Sequence, residues 1–444
     1  MNGTSHARLT ALSRRTVSAV LFFVLSVASA AAAGARTETT FVVQDCAGYN
    51  GWPFVRVLDG RLLVVYNRAN GHEFTDGKVD LFARQSSDRA RTWTDEVAIE
   101  KVEAPASDPK GAPAFYWNRF WKGNVRRHDL YRTFDGVTYE KVSTPALDPM
   151  PVQVMAPVPL PDGQLLSLWF DGDYKNLADG HSWGTLFSSD GGRTWRQTTV
   201  EAGLSKADWP TEPSVVSLGG GRLLALARAE WCEGVDVRQL QSLTSSDGGR
   251  TWKREKTAIT DVHESTPALL YDTASDELSL YYFHRGPGLL KRRTAKASAA
   301  FADPLAWSEP VVVACGRKRR SWDSGNVNAV RLDGSDYLAY YAGDATNASV
   351  LVSVVGKAET PATSWKGRRV LFLGAWDVAR VQATARRRRF EAKVYPTADA
   401  AFADYPAEAF WAIVLRDGAA DAGVRQFPQA RVWTEGDFNK EVER

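Results

Sequence analysis

Two copies of one segment decide the fold of this chain: Ser188-Ser189-Asp190-Gly191-Gly192-Arg193-Thr194-Trp195 and Ser245-Ser246-Asp247-Gly248-Gly249-Arg250-Thr251-Trp252. The copies lie 57 residues apart. A degenerate copy occupies residues 86–93 and a fainter one begins at Asp135, so the successive aspartates are separated by 47, 55 and 57 residues. A period near 50 residues is typical of propellers and solenoids, in which one structural unit repeats.

A predicted β-hairpin recurs in phase with this segment. Turn dipeptides separate pairs of apolar runs at Asp59-Gly60, Asp162-Gly163, Gly219-Gly220 and Asp333-Gly334. Such dipeptides between β-rich runs are strong hairpin signals. One period between the first two turns lacks the signal, and counting it gives six units over residues 37–357. The sequence therefore predicts an all-β, six-bladed propeller, with residues 37–43 as a strand that completes the last blade.

The repeated segment is itself predicted to be structural. An Asp side chain that accepts bonds from backbone amides, followed by glycines, makes a tight turn. Thr and Trp would then begin the outer strand, with the indole packed between neighbouring sheets. Asp190 and Asp247 therefore indicate where the blades lie and are not predicted to be catalytic.

These segments resemble the Asp-box repeats of the sialidase (neuraminidase) superfamily, which are six-bladed β-propellers. The resemblance implies a glycan-directed site at the centre of the ring, on the face opposite the boxes. Glu212, in Glu212-Pro213-Ser214, matches the family's glutamate that polarises a tyrosine nucleophile, and Arg228 matches the arginine that follows it. Asp76 lies within one residue of the place of the family's general acid.

Three other family positions differ in this chain. The first arginine of the triad that grips a substrate carboxylate is replaced by Gly51, before Pro53. No arginine stands at the start of the fifth unit, in residues 262–267, although Arg285 is a displaced candidate. Asn326 occupies the expected place of the nucleophilic tyrosine. Only one arginine clearly matches the triad, and a single arginine binds a carboxylate weakly, so we expect an altered substrate or lost catalysis.

Glycoside hydrolysis ordinarily requires two carboxylic groups. We predict Asp76 as the proton donor and Glu212 or Asp323 as the nucleophile or base. His72, His263 and His284 also fall in loops on this face, so a histidine acid or base is an open alternative. The predicted substrate-binding residues are Arg228, Arg285, His72, Glu73, His263, Glu264, Trp209 and Asn326.

The principal functional prediction is an exo-glycosidase that acts on terminal glycan residues with altered specificity. Two alternatives are a non-catalytic glycan-binding propeller and a lyase that uses a His or Tyr base on an acidic polysaccharide. No metal site or cofactor is predicted, because the three cysteines have no ligand spacing and no phosphate-binding loop opens a helix.

The N-terminus predicts export to a periplasm or out of the cell. Arg14 and Arg15 precede an apolar run and small-residue cleavage candidates, so residues 1–35 are predicted to be a signal peptide. A membrane anchor is the alternative, although the run is short and rich in alanine. The chain has 55 basic and 52 acidic residues, and three of the basic ones lie in this segment. The neutral remainder lacks the charge of a nucleic-acid binder, and no membrane span is expected in it.

Two further segments have their own predictions. Residues 115–121 are aromatic and cationic, and they predict either an irregular blade or a lid over the site. Residues 358–444 alternate between strand and helix patterns, with strands at 369–373 and 411–415 and a helix over 376–389. This segment therefore predicts a small α/β appendage.

Overall fold

The structure is a computed structural model. It describes residues 37–45, 48–72, 80–99, 111–122, 125–174, 180–229, 239–262, 265–285, 288–315, 323–356, 368–405, 409–416, 427 and 430–443. The predicted signal peptide lies outside these residues. No helix among the described residues combines the length and hydrophobicity that crossing a membrane requires.

Antiparallel strands succeed one another along residues 37–355. The N-terminal strand is β1 (Thr37–Gln44). A first group contains β2 (Tyr49–Leu58), β3 (Arg61–Ala69), β4 (Asp80–Ser86) and β5 (Val97–Ala98). A second group contains β6 (Ala114–Lys122), β7 (Val125–Thr133) and β8 (Glu140–Ser143). A third contains β9 (Gln153–Val154), β10 (Val158–Pro159), β11 (Leu165–Asp171), β12 (His181–Ser188) and β13 (Arg196–Leu204).

Three more groups complete this part of the chain. The fourth contains β14 (Pro210–Gly219), β15 (Arg222–Ala229), β16 (Gln241–Ser245) and β17 (Lys253–Lys256). The fifth contains β18 (Ala268–Asp272), β19 (Glu277–His284), β20 (Leu289–Lys296), the helix α1 (Ala297–Ala302) and β21 (Val311–Cys315). The last contains β22 (Ser324–Leu332), β23 (Ser335–Gly343) and β24 (Ala348–Val355). Segment 115–121, for which a lid was one alternative, lies in β6.

The N-terminal strand belongs to the last group. β1 pairs antiparallel with β24, from Thr37 opposite Val355 to Gln44 opposite Val350, as the sequence predicted. One parallel pair, Tyr49 with Ala348, joins this group to the first one, so the two form a single eight-stranded sheet. The first and last portions of the propeller segment are therefore held together by backbone hydrogen bonds.

Each group packs against its neighbour through a separate apolar cluster. Val65 and Tyr131 lie between the first and second groups, and Leu168 and Ala225 lie between the third and fourth. Other clusters join the second group to the third, the fourth to the fifth and the fifth to the last. One more cluster packs the last group against the first. Burial of these large aliphatic and aromatic side chains is the main favourable contribution to folding.

The repeated segments form the hydrogen-bonded turns that the sequence predicted. The Oδ1 atom of Asp190 accepts a bond from the Thr194 amide at 2.9 Å, and Oδ2 accepts one from the Thr194 hydroxyl at 2.6 Å. Asp247 makes the same bonds with Thr251. Leu223 pairs with Ser245 at the box end of the sheet, whereas Thr211 pairs with Arg228 at the other end. The boxes therefore lie at the opposite strand ends from Arg228.

A parallel α/β unit follows the antiparallel groups. Its strands are β25 (Arg369–Leu373), β26 (Glu391–Tyr395), β27 (Ala412–Leu415) and β28 (Arg431–Thr434), in the order β26-β25-β27-β28. Its helices are α2 (Val378–Arg388), α3 (Ala398–Asp404) and α4 (Glu435–Glu443). Leu371 and Phe410 of this unit share a cluster with Leu289 of β20, so the unit packs on the fifth group.

Removal of a box carboxylate tests its structural role. We expect Asp190→Ala to lower the free energy of unfolding by about 1–2 kcal/mol, because a turn loses its capping acceptor. Hydrogen bonds from Thr194 are the main cause that lowers the pKa of Asp190 from 3.8 to about 2. The contribution is therefore present above about pH 4 and is lost as the pH falls towards about 2. Urea unfolding at several pH values measures this contribution, with Ser189→Ala as the exposed control. Equal stabilities of Asp190→Ala and Ser189→Ala would contradict the structural role of the carboxylate.

Candidate active site

The inner strands of all six groups surround one cavity of about 1840 Å³. Its wall includes Phe54 from the first group, Arg119 from the second, Val154 from the third and Ser214 from the fourth. The fifth and last groups contribute Ala268 and Asn328. Side chains that are far apart in sequence can therefore meet the same bound molecule.

Three strand beginnings at this cavity share a strained backbone. Trp52, Glu212 and Asn326 have positive φ angles of 49°, 49° and 48°. Each lies at a register shift, where β2, β14 or β22 begins to pair with its neighbour. Such backbone is costly for a residue with a side chain, and it is concentrated at functional sites in proteins. All three residues line the cavity.

Glu212 is held by two donors. Arg228 Nη1 donates to Glu212 Oε2 at 2.9 Å, and the Thr266 hydroxyl donates to the same oxygen. The side chains of Glu212 and Arg228 are only 9% and 11% exposed. The structure therefore brings together the glutamate and the arginine that the sequence paired, and it fixes one carboxylate oxygen while the residue faces the cavity.

Each of these three residues follows a residue whose partner on the next strand also lines the cavity. Thr211 pairs with Arg228, Gly51 with Asn67 and Gly325 with Tyr341, and the three partners line the wall. Tyr341 was missed in the sequence, because the expected tyrosine position holds Asn326. Successive steps of 57 and 56 residues from Arg228 reach Arg285 and Tyr341. This repeat was the signal that would have found it.

Tyr341 lies where several charges meet. It is 1% exposed, and Arg285 Nη2 donates to its hydroxyl at 3.3 Å. Burial raises the pKa of Tyr341, the positive charge of Arg285 opposes this, and the carboxylates of Asp323 and Glu212 raise it further. Two of the predicted catalytic carboxylates therefore act on one phenol.

Asp323 is part of a compact group with His72 and Tyr49. Asp323 Oδ1 lies 2.9 Å from His72 Nδ1 and accepts a bond from the Tyr49 hydroxyl at 3.0 Å. Burial favours a raised pKa for Asp323, but the bonds from His72 and Tyr49 and the charge of Arg285 hold its pKa below the usual value. Burial also raises the pKa of Tyr49, as do the neighbouring Tyr341 and Asp323. We therefore expect an ionised Asp323 and a neutral Tyr49.

Cations on the cavity wall are more numerous than the sequence suggested. Arg56 and Arg119 come from β2 and β6, and Arg126 comes from β7. Desolvation lowers the pKa of Arg56 to about 9, whereas the pKa of Arg119 is lowered by desolvation and partly restored by Tyr174 and Glu212. The family pattern predicted neither Arg56 nor Arg119. Arg119 lies in the unit that lacks the hairpin signal.

The remaining predicted site residues have different locations. Asn326 and Arg285 line the cavity, and His72 does so beside Trp52 at a ring-centroid distance of 5.4 Å. Trp209, predicted to bind substrate, is not part of the cavity wall, because it is 0% exposed and packs in the core against Phe170. The predicted residues outside the described part of the chain are Glu73, Asp76, His263 and Glu264.

The described residues contain no group of three or more His, Cys, Asp or Glu side chains arranged to hold a metal ion. His284 Nδ1 lies 3.1 Å from Lys291 Nζ and is not part of the cavity wall. Of the histidines in the described residues, His72 and His128 reach the wall, and His128 is 1% exposed and bonded to the Pro151 carbonyl.

Comparison with known proteins identifies the repeat and the fold. A model of the BNR repeat-like domain matches residues 113–317, which is less than half of the chain. No curated protein matches the sequence. The sialidase NanB from Streptococcus pneumoniae superposes with a TM-score of 0.50 at 12% identity, over 72% of this chain and 71% of that one.

Two other solved structures extend the comparison. Trypanosoma rangeli sialidase, in complex with 2,3-difluorosialic acid, has a TM-score of 0.50 at 13% identity, over 72% of this chain and 57% of that one. The α-L-arabinanase of Penicillium chrysogenum, complexed with arabinobiose, has a TM-score of 0.53 at 15% identity, over 72% of this chain and 98% of that one. The chain thus spans 57% to 71% of the length of the solved sialidases. At these identities the likeness shows the fold, and it confirms the predicted resemblance.

The Glu212–Arg228 pair can be tested through stability. Arg228→Met leaves a buried carboxylate without its cation, so we expect a loss of about 3–5 kcal/mol in the free energy of unfolding. Adding Glu212→Gln removes the uncompensated charge and should recover at least half of that loss. Urea unfolding of the wild type, both single variants and the double variant measures the coupling. Additive effects within about 0.5 kcal/mol would show that the pair is not coupled.

Proposed function

We propose that this chain, whose fold is that of the sialidase-like BNR-repeat proteins, is an exported glycoside hydrolase that removes acidic residues from the ends of glycans. The fold alone does not specify this activity, because one fold hosts many chemistries. The residues of the cavity wall are what support this activity. Export follows from the predicted signal peptide, residues 1–35.

We assign six blades to the propeller, over residues 37–357, followed by a C-terminal α/β segment at 358–444. The six strand groups and the apolar clusters between successive groups support this count. The cluster between the last group and the first, together with the β1–β24 pairing, supports closure of the ring. In a closed ring, the first strand of every blade faces the axis, which is where the cavity lies.

One observation carries the proposed activity. Glu212 lines the cavity with one oxygen held by Arg228, and Asp323, from a different blade, lies 2.9 Å from Nδ1 of His72, which lines the same cavity. Acidic groups around an oxocarbenium-like transition state are what glycoside hydrolysis needs. The Tyr341 hydroxyl, which accepts a bond from Arg285, adds a further polar group to the wall.

The cationic wall favours an acidic substrate. Arg228 and Arg119 both act on Glu212, the first through a direct ion pair and the second through its charge. Arg285 bonds to Tyr341 nearby. Three arginines from three groups thus surround the proposed reaction centre. Arginine forks bind carboxylates through paired, charge-assisted hydrogen bonds, so a uronic or sialic acid residue fits this wall better than a neutral sugar does.

The proposed role of Asp76, proton donor to the leaving oxygen, comes from the family resemblance. The other roles are proposed from contacts. Glu212, with one oxygen fixed by Arg228 and Thr266, stabilises positive charge at the anomeric carbon or attacks it. Asp323 is already bonded to His72 and Tyr49, so it acts as a positioning residue. Trp52 and Asn326 line the substrate cavity.

A polysaccharide lyase is the second candidate. The observation that favours it is the contact between His72 Nδ1 and the Tyr49 hydroxyl, at 2.6 Å, in a cavity with many arginines. An elimination next to a uronate carboxylate needs a base and cations that neutralise the acid. Its products absorb in the ultraviolet, whereas hydrolysis products do not, so spectroscopy separates the two reactions.

Glu212→Gln tests the proposed hydrolase. On a panel of fluorogenic sialosides, uronides and neutral glycosides, we expect turnover of an acidic member and a loss of at least about 100-fold in kcat for the variant. Glu201→Gln is the matched control, because Glu201 is also paired with an arginine, Arg254 at 2.7 Å, but on an outer strand. Glycan binding without turnover by the wild type would instead support a non-catalytic propeller.

Arg285→Met tests the acidic specificity. A charge-assisted hydrogen bond contributes about 1.5–3 kcal/mol, so we expect kcat/KM for the acidic substrate to fall about 10- to 100-fold. Arg196→Met, on the exposed outer strand β13, should change it less than about twofold. Equal losses for acidic and neutral substrates would contradict a role in recognising the acid.

A further inference from the structure

His72 is held in one orientation by residues from both ends of the propeller segment. Its Nδ1 atom lies 2.6 Å from the Tyr49 hydroxyl and 2.9 Å from Asp323 Oδ1. Its backbone amide donates to the Ala345 carbonyl at 3.0 Å. The ring is therefore fixed by its side-chain and backbone contacts, while 39% of the side chain stays exposed at the cavity wall.

The contacts determine the tautomer of His72. An ionised Asp323 accepts hydrogen bonds and donates none, so the proton of a neutral imidazole belongs on Nδ1. The Tyr49 hydroxyl donates to the same carboxylate oxygen, at 3.0 Å, and holds it in place. Nε2 then carries the lone pair, and among the described residues it has no hydrogen-bond partner. A carboxylate that orients an imidazole in this way is the arrangement that makes histidine an effective proton acceptor.

We propose that His72 is the general base of the cavity, acting through Nε2, and that Asp323 and Tyr49 are its positioning residues. This inference rests on the proposed glycan-cleaving function, and it assigns to His72 the proton transfer that the sequence had given to a carboxylate.

The chemical step balances with groups already named. Nε2 takes a proton from a water molecule as the water oxygen bonds to the anomeric carbon. The bond from that carbon to the glycosidic oxygen breaks, and the leaving oxygen takes a proton from solvent water. The imidazolium then releases its proton to the solvent. Glu212 and the arginines stabilise charge in this step and transfer no proton.

Other candidates for the base are less suitable. Glu212 has Oε2 occupied by bonds from Arg228 and Thr266, and its side chain is only 9% exposed. Tyr49 is 0% exposed, and burial raises its pKa. Burial lowers the pKa of His128 to about 4, and its Nε2 is bonded to the Pro151 carbonyl. His72 combines exposure to the cavity with a fixed tautomer.

His72→Ala with chemical rescue tests the proposal on the full chain and the substrate that the wild type cleaves. General base catalysis contributes about 100- to 10,000-fold, so we expect kcat to fall by at least about 100-fold. Added imidazole should restore at least about tenfold of that loss, because it can occupy the vacated space and supply a lone pair. His284→Ala is the control and should change kcat less than about twofold.

Positioning residues should behave differently from the base. Asp323→Asn and Tyr49→Phe leave the imidazole in place, so added imidazole should not restore their losses. A His72→Ala variant that keeps wild-type kcat while Glu212→Gln loses activity would overturn the role of His72 and leave the proposed hydrolase standing. A His72→Ala loss that imidazole does not restore would also count against it.

A measurement without turnover separates this inference from the proposed function. Diethylpyrocarbonate acylates imidazole lone pairs, and peptide mass mapping locates the product. We expect rapid modification at His72, slower modification in Asp323→Asn, and no modification at the buried His128 and His181 of the folded protein. If the wild type cleaves no glycan, the proposed function fails, and an unreactive His72 or a rate unaffected by Asp323→Asn would overturn the present inference as well.

Discussion

The pairing of the N-terminal strand with the last sheet is the constraint on which the site depends. β1 pairs with β24 along its length, and Tyr49 pairs with Ala348. These contacts join parts of the chain that are about 300 residues apart in sequence. The cost of closing so long a loop rises only slowly with its length, so one well-formed ladder together with an apolar interface can offset it.

This pairing also brings together two residues of the candidate site. His72 and Asp323 belong to the first and last groups, and neither could position the other if those groups were apart. The site also depends on the strained backbone at the starts of β2, β14 and β22. There a side chain lines the cavity, and so does the strand partner of the residue before it. Packing between the sheets stabilises this costly backbone, and the site is consequently held by rigid elements rather than by the loops alone.

The sequence predicted the repeating architecture much better than it predicted the site wall. Box spacing and Asp-Gly turns located the strands, since turn chemistry is local and is written in a few residues. The Glu212–Arg228 pair was also found, because its spacing spans a single hairpin. Asp323 was selected as a catalytic carboxylate, but its contacts with His72 and Tyr49, on which we base its proposed positioning role, lie between distant parts of the chain and could not be read from the sequence.

The failures have physical reasons. Trp209 immediately precedes β14 and Trp52 lies near the start of β2, and only packing decides that the ring of Trp209 is buried in the core. Arg119 belongs to a unit without turn signals, so its register could not be assigned. Tyr341 comes from the second strand of its sheet and pairs with Gly325, next to Asn326, so a pattern read along the first strand could not find it.

The crystal structure of the protein with a bound acidic monosaccharide, either glucuronate or N-acetylneuraminate, would show whether the cavity recognises acidic sugars. We expect the sugar in the central cavity, with its carboxylate within about 3.5 Å of at least one guanidinium among Arg119, Arg228 and Arg285 and with its ring between Glu212 and His72. A sugar bound at the box face, or one whose carboxylate points to solvent with those arginines uninvolved, would contradict it.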